Sequence, residues 1–335
     1  MSMFRTLSRR ALIGVAGLGA AGAALTGFSR SRGQEAAERA EAAYPPIGRF
    51  VSVDGVKIHL VDTGPTDASA PNAPAIVLIH GASGNLRDFT FDFVKRLTPR
   101  LRVIAIDRPG FGHSERGPGQ TATEPAHHPA AQARLMREAV KAIGVARAVL
   151  VGHSLGGASA LAWLIDAPES VIGLVDLAGV SHPWPGSAGL VYDLGVSVLG
   201  GLTADLIAGL VSEEQAIAGV NSIFRPQAAP EGYAEYVGVA LALRPSTVRY
   251  NNRDIGLLKP LLETQRLAYP EIAAPIEILH GEADTIVKVS VHGERLAREA
   301  PTAELTVLPG VGHMPHHAAP EACLAAIERV LARAG

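Results

Sequence analysis

Residues 149–163 read VLVGHSLGGASALAW, and their reading decides the fold. An apolar run, Val149-Leu150-Val151, ends in Gly152-His153-Ser154-Leu155-Gly156, and an alanine-rich, helix-forming run follows with no loop between them. A serine between two glycines at the junction of a strand and a helix is the sequence form of a nucleophile elbow. The sharp turn lifts the hydroxyl above the sheet edge, and glycines on either side leave room because they have no Cβ. The amide of Leu155 opens the new helix, so an oxyanion forming there meets the positive end of a helix dipole. An ordinary N-cap would also put a serine at a helix start, but a cap does not require Gly152 and Gly156 around it.

Outward from this stretch, strands and helices alternate. Residues 75–79 and 102–106 are continuous apolar runs, as in strands buried on both faces of a parallel sheet. The first ends in His80-Gly81-Ala82-Ser83-Gly84 and is followed by helical spacing over 86–97; the second ends in the turn DRPGFGHS, residues 107–114. Residues 129–143 predict a helix, 148–152 the elbow strand, 155–166 the helix after it and 171–177 a further strand. Nearer the start, 50–53 and 56–61 alternate around Asp54-Gly55, the turn pair of a hairpin, and 65–74 form a polar loop. This order predicts an α/β fold, a mainly parallel central sheet with helices on both faces. From 181 to 272 the alternation stops. Helical apolar patterns at 190–210 and 233–243 are interrupted by Pro226, Pro230, Pro245 and Pro260, with no strand pair. A structureless loop of that length is uncommon in a compact domain, so 181–272 is read as a helical cap inserted between core segments 47–180 and 273–335. The second core segment carries strands at 275–279 and 304–308, a helix near 289–299 and a closing helix at 320–334.

The chain has 335 residues, 47% of them hydrophobic and 19% charged, with a formal net charge of −2. That balance suits a globular protein with a large core and gives no electrostatic reason to expect nucleic acid as a partner. The single cysteine, Cys323, excludes an internal disulfide framework; in the closing helix it reads as a small buried hydrophobe. Residues 1–34 read as a targeting segment. Arg5, Arg9 and Arg10 precede a weakly polar run over 11–28, and no acidic residue occurs before Glu35. Ser8-Arg9-Arg10 before a Gly/Ala-rich run resembles a bacterial twin-arginine export signal, which implies a periplasmic or external location. The run would span about 27 Å as a helix, so an uncleaved membrane anchor through residues 11–28 is the alternative. Residues 35–46 read as a polar linker.

From about residue 47 to 333 the chain resembles the α/β-hydrolase fold superfamily. Five motifs fall in the family's order: His80-Gly81, DRPGFGHS, GHSLGG at the elbow, GEADTIV from residue 281 and GVGHMPH from residue 310. The family's sequence of nucleophile, acid and histidine is met by Ser154, Asp284 and His313. Serine needs a base to take its proton, and histidine has the pKa for that work. Asp284 would hold the imidazole in the tautomer that leaves its other nitrogen free, with Asp176, at the end of an earlier strand, competing for that role. All three stand on loops at the carboxyl ends of strands, where open α/β sheets bind ligands. The resemblance further implies an oxyanion hole from the backbone amides of Ala82 and Leu155. His80 and His153 are expected to orient loops, Asp107 and Arg108 to fix a turn through hydrogen bonds and an ion pair, and His127-His128 to lie in a solvated loop. His313, His316 and His317 form a cluster, but no metal-ligand spacing accompanies them, and no metal or cofactor is expected.

Serine in the nucleophile position excludes the carboxylate attack used by haloalkane dehalogenases and epoxide hydrolases of this fold. The resemblance then implies a serine hydrolase of the carboxylesterase or lipase kind, working through an acyl-enzyme. A cap rich in Leu, Val, Ala and Ile, with Trp184, Tyr192, Phe224, Tyr233 and Tyr236, points to a small-molecule ester with an apolar acyl or alcohol group. Two other chemistries use the same triad, cofactor-free perhydrolysis of the haloperoxidase kind and hydrolysis of a C–C bond. A non-catalytic binding or pathway accessory protein on this fold would show a damaged triad or oxyanion loop, and neither is seen.

Overall fold

Eight strands form one sheet in the order β1-β2-β4-β3-β5-β6-β7-β8. They are β1 (Arg49–Val53), β2 (Val56–Thr63), β3 (Ala75–Ile79), β4 (Arg102–Ile106), β5 (Ala148–His153), β6 (Val171–Leu177), β7 (Ile276–Gly281) and β8 (Ala303–Leu308). The hairpin β1–β2 and the β2–β4 pair are antiparallel, and every pair from β4 to β8 is parallel. The computed structural model describes residues 26–64, 74–98, 100–119 and 125–334. All of the polar loop expected at 65–74 except its last residue, and residues 1–25 of the targeting segment, lie outside the described residues.

The apolar strands sit where their composition requires. Every residue of β3 and β5 is buried, with alternate side chains feeding two cores. Val77, Ile79, Leu150 and Trp163 belong to one, and Ile76, Leu78, Phe89, Phe93, Val149 and Val151 to the other. Helices α4 (Pro129–Ala142), α5 (Leu155–Asp166), α12 (Gly293–Glu299) and α14 (Pro320–Ala334) cover the sheet. Cys323 lies in α14, fully buried, and burial pushes its thiol up to about 12. The helix expected over 86–97 is broken into α2 (Arg87–Thr90) and α3 (Phe93–Leu97). At the break Phe91 turns to the cap, its ring centroid 5.4 Å from those of Tyr233 and Tyr236, so a tertiary contact overrides the helical period.

Between β6 and β7 the described residues hold helices and no strand: α6 (Leu190–Val196), α7 (Gly200–Leu210), α8 (Glu213–Ser222), α9 (Tyr233–Val237), α10 (Pro245–Gly256) and α11 (Leu258–Gln265), with α13 (Pro315–Ala318) following β8. The 190–210 pattern is two helices because Ser197 ends the first, its hydroxyl donating to Leu194 O at 2.7 Å and accepting from Leu199 N at 3.1 Å.

The expected boundary at 34 and the linker over 35–46 are corrected. Residues 26–43 are helical, and we call them α1. The stretch QEAAERAEAA is made of strong helix formers, with Glu35 and Arg39 one turn apart at 4.0 Å. Ser29, Ala37 and Ala40 are buried, and Gly33 packs against Ala208 of α7 and Pro245 of α10. A polar composition reads alike in a linker and in a surface helix; the small residues on one face decide for the helix.

Candidate active site

Ser154 stands between β5 and α5 with φ +53°, a strained backbone for a residue other than glycine. The strain is held in place by close packing: a Cβ on Gly156 would lie 2.2 Å from Ile79 O. In this pose Ser154 Oγ is 3.0 Å from His313 Nε2, and His313 Nδ1 is 2.7 Å from Asp284 Oδ2. The three candidates are thus brought together from the ends of β5, β7 and β8. Asp284 also caps its own turn, accepting from Ile286 N at 2.8 Å and Val287 N at 2.9 Å. Burial raises its pKa, but hydrogen bonds from His280 and His313 outweigh burial and hold the carboxyl well below the ordinary range. Asp284 is therefore an anion in the native state. Asp176 does not reach the histidine in this way. It is fully buried against Gly157 and Gly179, and burial pushes its carboxyl up to about 7.

Two further residues hold the histidine loop. His153 Nε2–H donates to His313 O at 2.9 Å, so it steadies the histidine loop. Gln227, from the cap, grips the same loop twice, donating to Gly310 O at 2.8 Å and accepting from Gly312 N at 2.9 Å. No sequence signal marks Gln227, because its partners are more than eighty positions away.

Ala82 and Leu155 both line the cavity beside Ser154, and the amide of neither donates to a protein acceptor among the described residues. Gly81 O is held from behind by His80 Nδ1–H at 2.9 Å and Arg108 Nη1–H at 3.2 Å. Arg108 N–H donates to His80 Nε2 at 3.0 Å, so His80 is the neutral Nδ1–H tautomer; burial and then the Arg108 charge lower its pKa to about 4. Asp107 and Arg108 do fix the turn, but not by pairing with each other. Asp107 pairs with His59 at 2.7 Å and accepts from Leu86 N and His113 N. Arg108 crosses to Asp254 of α10 at 2.9 Å and to Gln132. Asn251, also of α10, accepts from Ser83 N at 2.9 Å.

His316 and His317 leave the triad to His313 and converge on Asp88, which no sequence motif had singled out. Asp88 Oδ1 accepts from His316 Nε2 at 3.1 Å, His317 Nε2 at 2.8 Å and the Tyr233 hydroxyl at 2.7 Å. Burial alone would raise the Asp88 carboxyl, yet the two histidines hold it well below the usual range. Their ligand-type atoms lie within 4.8 Å of one another, a donor set that could hold a metal, though the hydrogen bonds already close it as a polar cluster. His127 and His128 lie half-buried in the turn before α4, and His128 Nδ1 accepts from Ala130 N at 3.1 Å as the cap of that helix.

A cavity of about 400 Å³ opens beside Ser154, lined by Val180, Trp184, Tyr192, Leu258 and Ile286 among others. The apolar walls come largely from the cap and the loop after β7.

Residues 76–326 match the model of the alpha/beta hydrolase family. The chain is 30% identical over 266 residues to the magnesium-chelatase 30 kDa subunit of Rhodobacter capsulatus, covering 78% of this chain and 86% of that protein. It is 31% identical over 283 residues to 2-hydroxymuconate semialdehyde hydrolase of Pseudomonas putida, covering 80% and 88%. Among solved structures, the enol-lactonase of Burkholderia xenovorans LB400 superposes with a TM-score of 0.67 at 20% identity, over 85% of this chain and all of that one.

Proposed function

This chain belongs to the alpha/beta hydrolase family, and from that membership we propose that it hydrolyses carboxylic esters with an apolar acyl or alcohol group. The observation that carries the reading is the hydrogen-bonded line from Ser154 Oγ through His313 to Asp284, at 3.0 and 2.7 Å. Ser154 Oγ attacks the ester carbonyl while its proton passes to His313 Nε2. The carbonyl electrons collect on the oxygen that faces the Ala82 and Leu155 amides. Collapse of the tetrahedral adduct breaks the C–O bond, and His313 gives its proton to the departing alcohol. Water then attacks the acyl-enzyme, with His313 as base, and releases the acid. Asp284 keeps its charge and steadies the imidazolium throughout. Export or anchoring through residues 1–34 belongs to the same proposal.

A fluorophosphonate probe should label Ser154, located by mass spectrometry, and p-nitrophenyl esters of graded chain length should be turned over. Ser154→Ala and His313→Ala should abolish both, and Asp284→Asn should cut kcat by about 10³- to 10⁴-fold. Full ester turnover in Ser154→Ala would remove the proposal.

The 31% identity to a semialdehyde hydrolase favours one second reading, hydrolysis of a C–C bond by the same residues. Labelling of Ser154 with no ester turnover at any chain length, together with cleavage of a vinylogous diketone, would favour it.

A further inference from the structure

The cap surface beside the cavity is unusually poor in charge. Residues 184–212 carry two charged side chains, Asp193 and Asp205. Asp205 is buried within 3.8 Å of Arg30 and 3.6 Å of Arg249, which leaves Asp193 as the one exposed charge of the stretch. On α6, on α7 and in the turn between them, Leu190 is 72% exposed and Val198 fully so, with Val191, Leu199 and Leu210 about half exposed. The helices are packed together, since a Cβ on Gly200 would touch Gly195 O at 2.1 Å. At the far end of α7, Gly209, next to the exposed Leu210, lies against Ser29 of α1, next to the exposed Phe28. A soluble monomer rarely leaves so many large apolar side chains together in water.

We propose that this face of the cap, α6 and α7 with Phe28, lies on a phospholipid bilayer. Where the chain comes from argues for lipid over a protein partner. The apolar run at 11–28 ends at Phe28, one residue before the Ser29 contact with α7, and its length of about 27 Å as a helix is close to the hydrocarbon thickness of a bilayer. Arg5, Arg9 and Arg10 flank the run on one side, and the exposed Arg30 and Arg32 on the other. Arg32 stands over the Phe28 ring at 5.5 Å, an apolar body with a cationic head, as at an interface with anionic headgroups. If residues 11–28 enter the bilayer, Phe28 and Leu210 are held at its surface and the rest of the face follows. Trp184 and Tyr192, which line the cavity, border this face, so an apolar ester would reach Ser154 from the lipid. That route rests on the esterase reading; the docking does not.

The test uses the full chain with vesicles of phosphatidylethanolamine and phosphatidylglycerol, some carrying bromine on the acyl chains near the headgroup. The protein has two tryptophans, and Trp163 is buried in the core. Bromolipid should quench the emission, and Trp184→Phe should remove the quenched component. Val198→Glu with Leu199→Glu should remove the quenching too and weaken hydrolysis of a vesicle-borne long-chain ester about tenfold or more, leaving water-soluble p-nitrophenyl acetate unchanged. Leu190→Glu should act in the same direction. Ser154→Ala should be quenched like the parent chain, which separates docking from catalysis. Vesicle binding without quenching of Trp184 would overturn the proposal. So would a detergent-solubilised dimer that the Val198→Glu, Leu199→Glu chain fails to form, since a second copy would then cover the face.

Discussion

Asp176 and Asp284 stand at the carboxyl ends of two strands of one sheet, and their surroundings shift them in opposite directions. Asp284 is drawn below the ordinary carboxylate range by His280 and His313, whereas burial pushes Asp176 up to about 7. Its unfolded-state value is near 3.8. Below that pH both states hold the proton and Asp176 costs nothing. Between about 4 and 7 the folded chain keeps a proton that the unfolded chain has released, so stability falls as pH rises, and above 7 the full penalty applies. A shift of this size corresponds to roughly 3 to 5 kcal/mol. Asp176→Asn should therefore melt with a weaker loss of stability between pH 5 and pH 8 than the parent chain. Denaturant unfolding at those two pH values, with the same change in unfolding free energy for both proteins, would show that Asp176 is ionised in the fold and refute the assignment.

Among the elements, α10 reaches furthest into the chemistry, although it belongs to the cap. A trans peptide is planar, so fixing Gly81 O behind the loop fixes Ala82 N–H in front of it. Asp254 anchors Arg108, Arg108 and His80 hold Gly81 O, and Asn251 holds the next peptide through Ser83 N. Ser83 itself sits at φ +52°, a conformation that persists only when its surroundings enforce it. Asn251→Ala should let the loop relax and lower kcat for a short-chain p-nitrophenyl ester by about five- to thirtyfold, with KM little changed. Fluorophosphonate labelling of Ser154 should slow in parallel; a lower melting temperature with unaltered kcat would reduce Asn251 to packing alone. The loop-fixing parts of His80 and Arg108 were legible in the sequence, but the anchors Asp254 and Asn251 were not, and the reason is distance. Arg108 and Asp254 are 146 positions apart, Asp88 and His316 228, and no local period links them. The elements themselves were legible, because β3 and β5 are continuous apolar runs and the Gly152 to Gly156 spacing is a local steric demand. The same local logic missed the break at Phe91 and the split between α6 and α7, where tertiary contacts and a serine hydroxyl outvote the pattern.

At the scale of the whole molecule, α1 changes where the folded chain starts. A boundary at residue 35 cuts α1 in the middle and discards Ser29 and Gly33, both packed against α7. A boundary at 44 also removes Ala37 and Ala40 from their buried places and leaves Arg244, itself buried, without Glu41 at 2.9 Å. None of these contacts is large alone, since an alanine methyl is a small apolar surface and a partly exposed ion pair contributes little. Together they amount to about 2 kcal/mol, which for a chain of this length means a melting temperature lower by about 3 °C. Chains beginning at 26, 35 and 44 should therefore melt in descending order. Turnover of a water-soluble ester should survive in all three at low temperature, because Ser154, His313 and Asp284 stand on the sheet and α1 touches none of them. Equal melting temperatures for the chains from 26 and 44 would mean that α1 rests on the cap without stabilising it. Its role would then be to carry residues 1–25 to the apolar face of α6 and α7, and the full chain alone would bind vesicles.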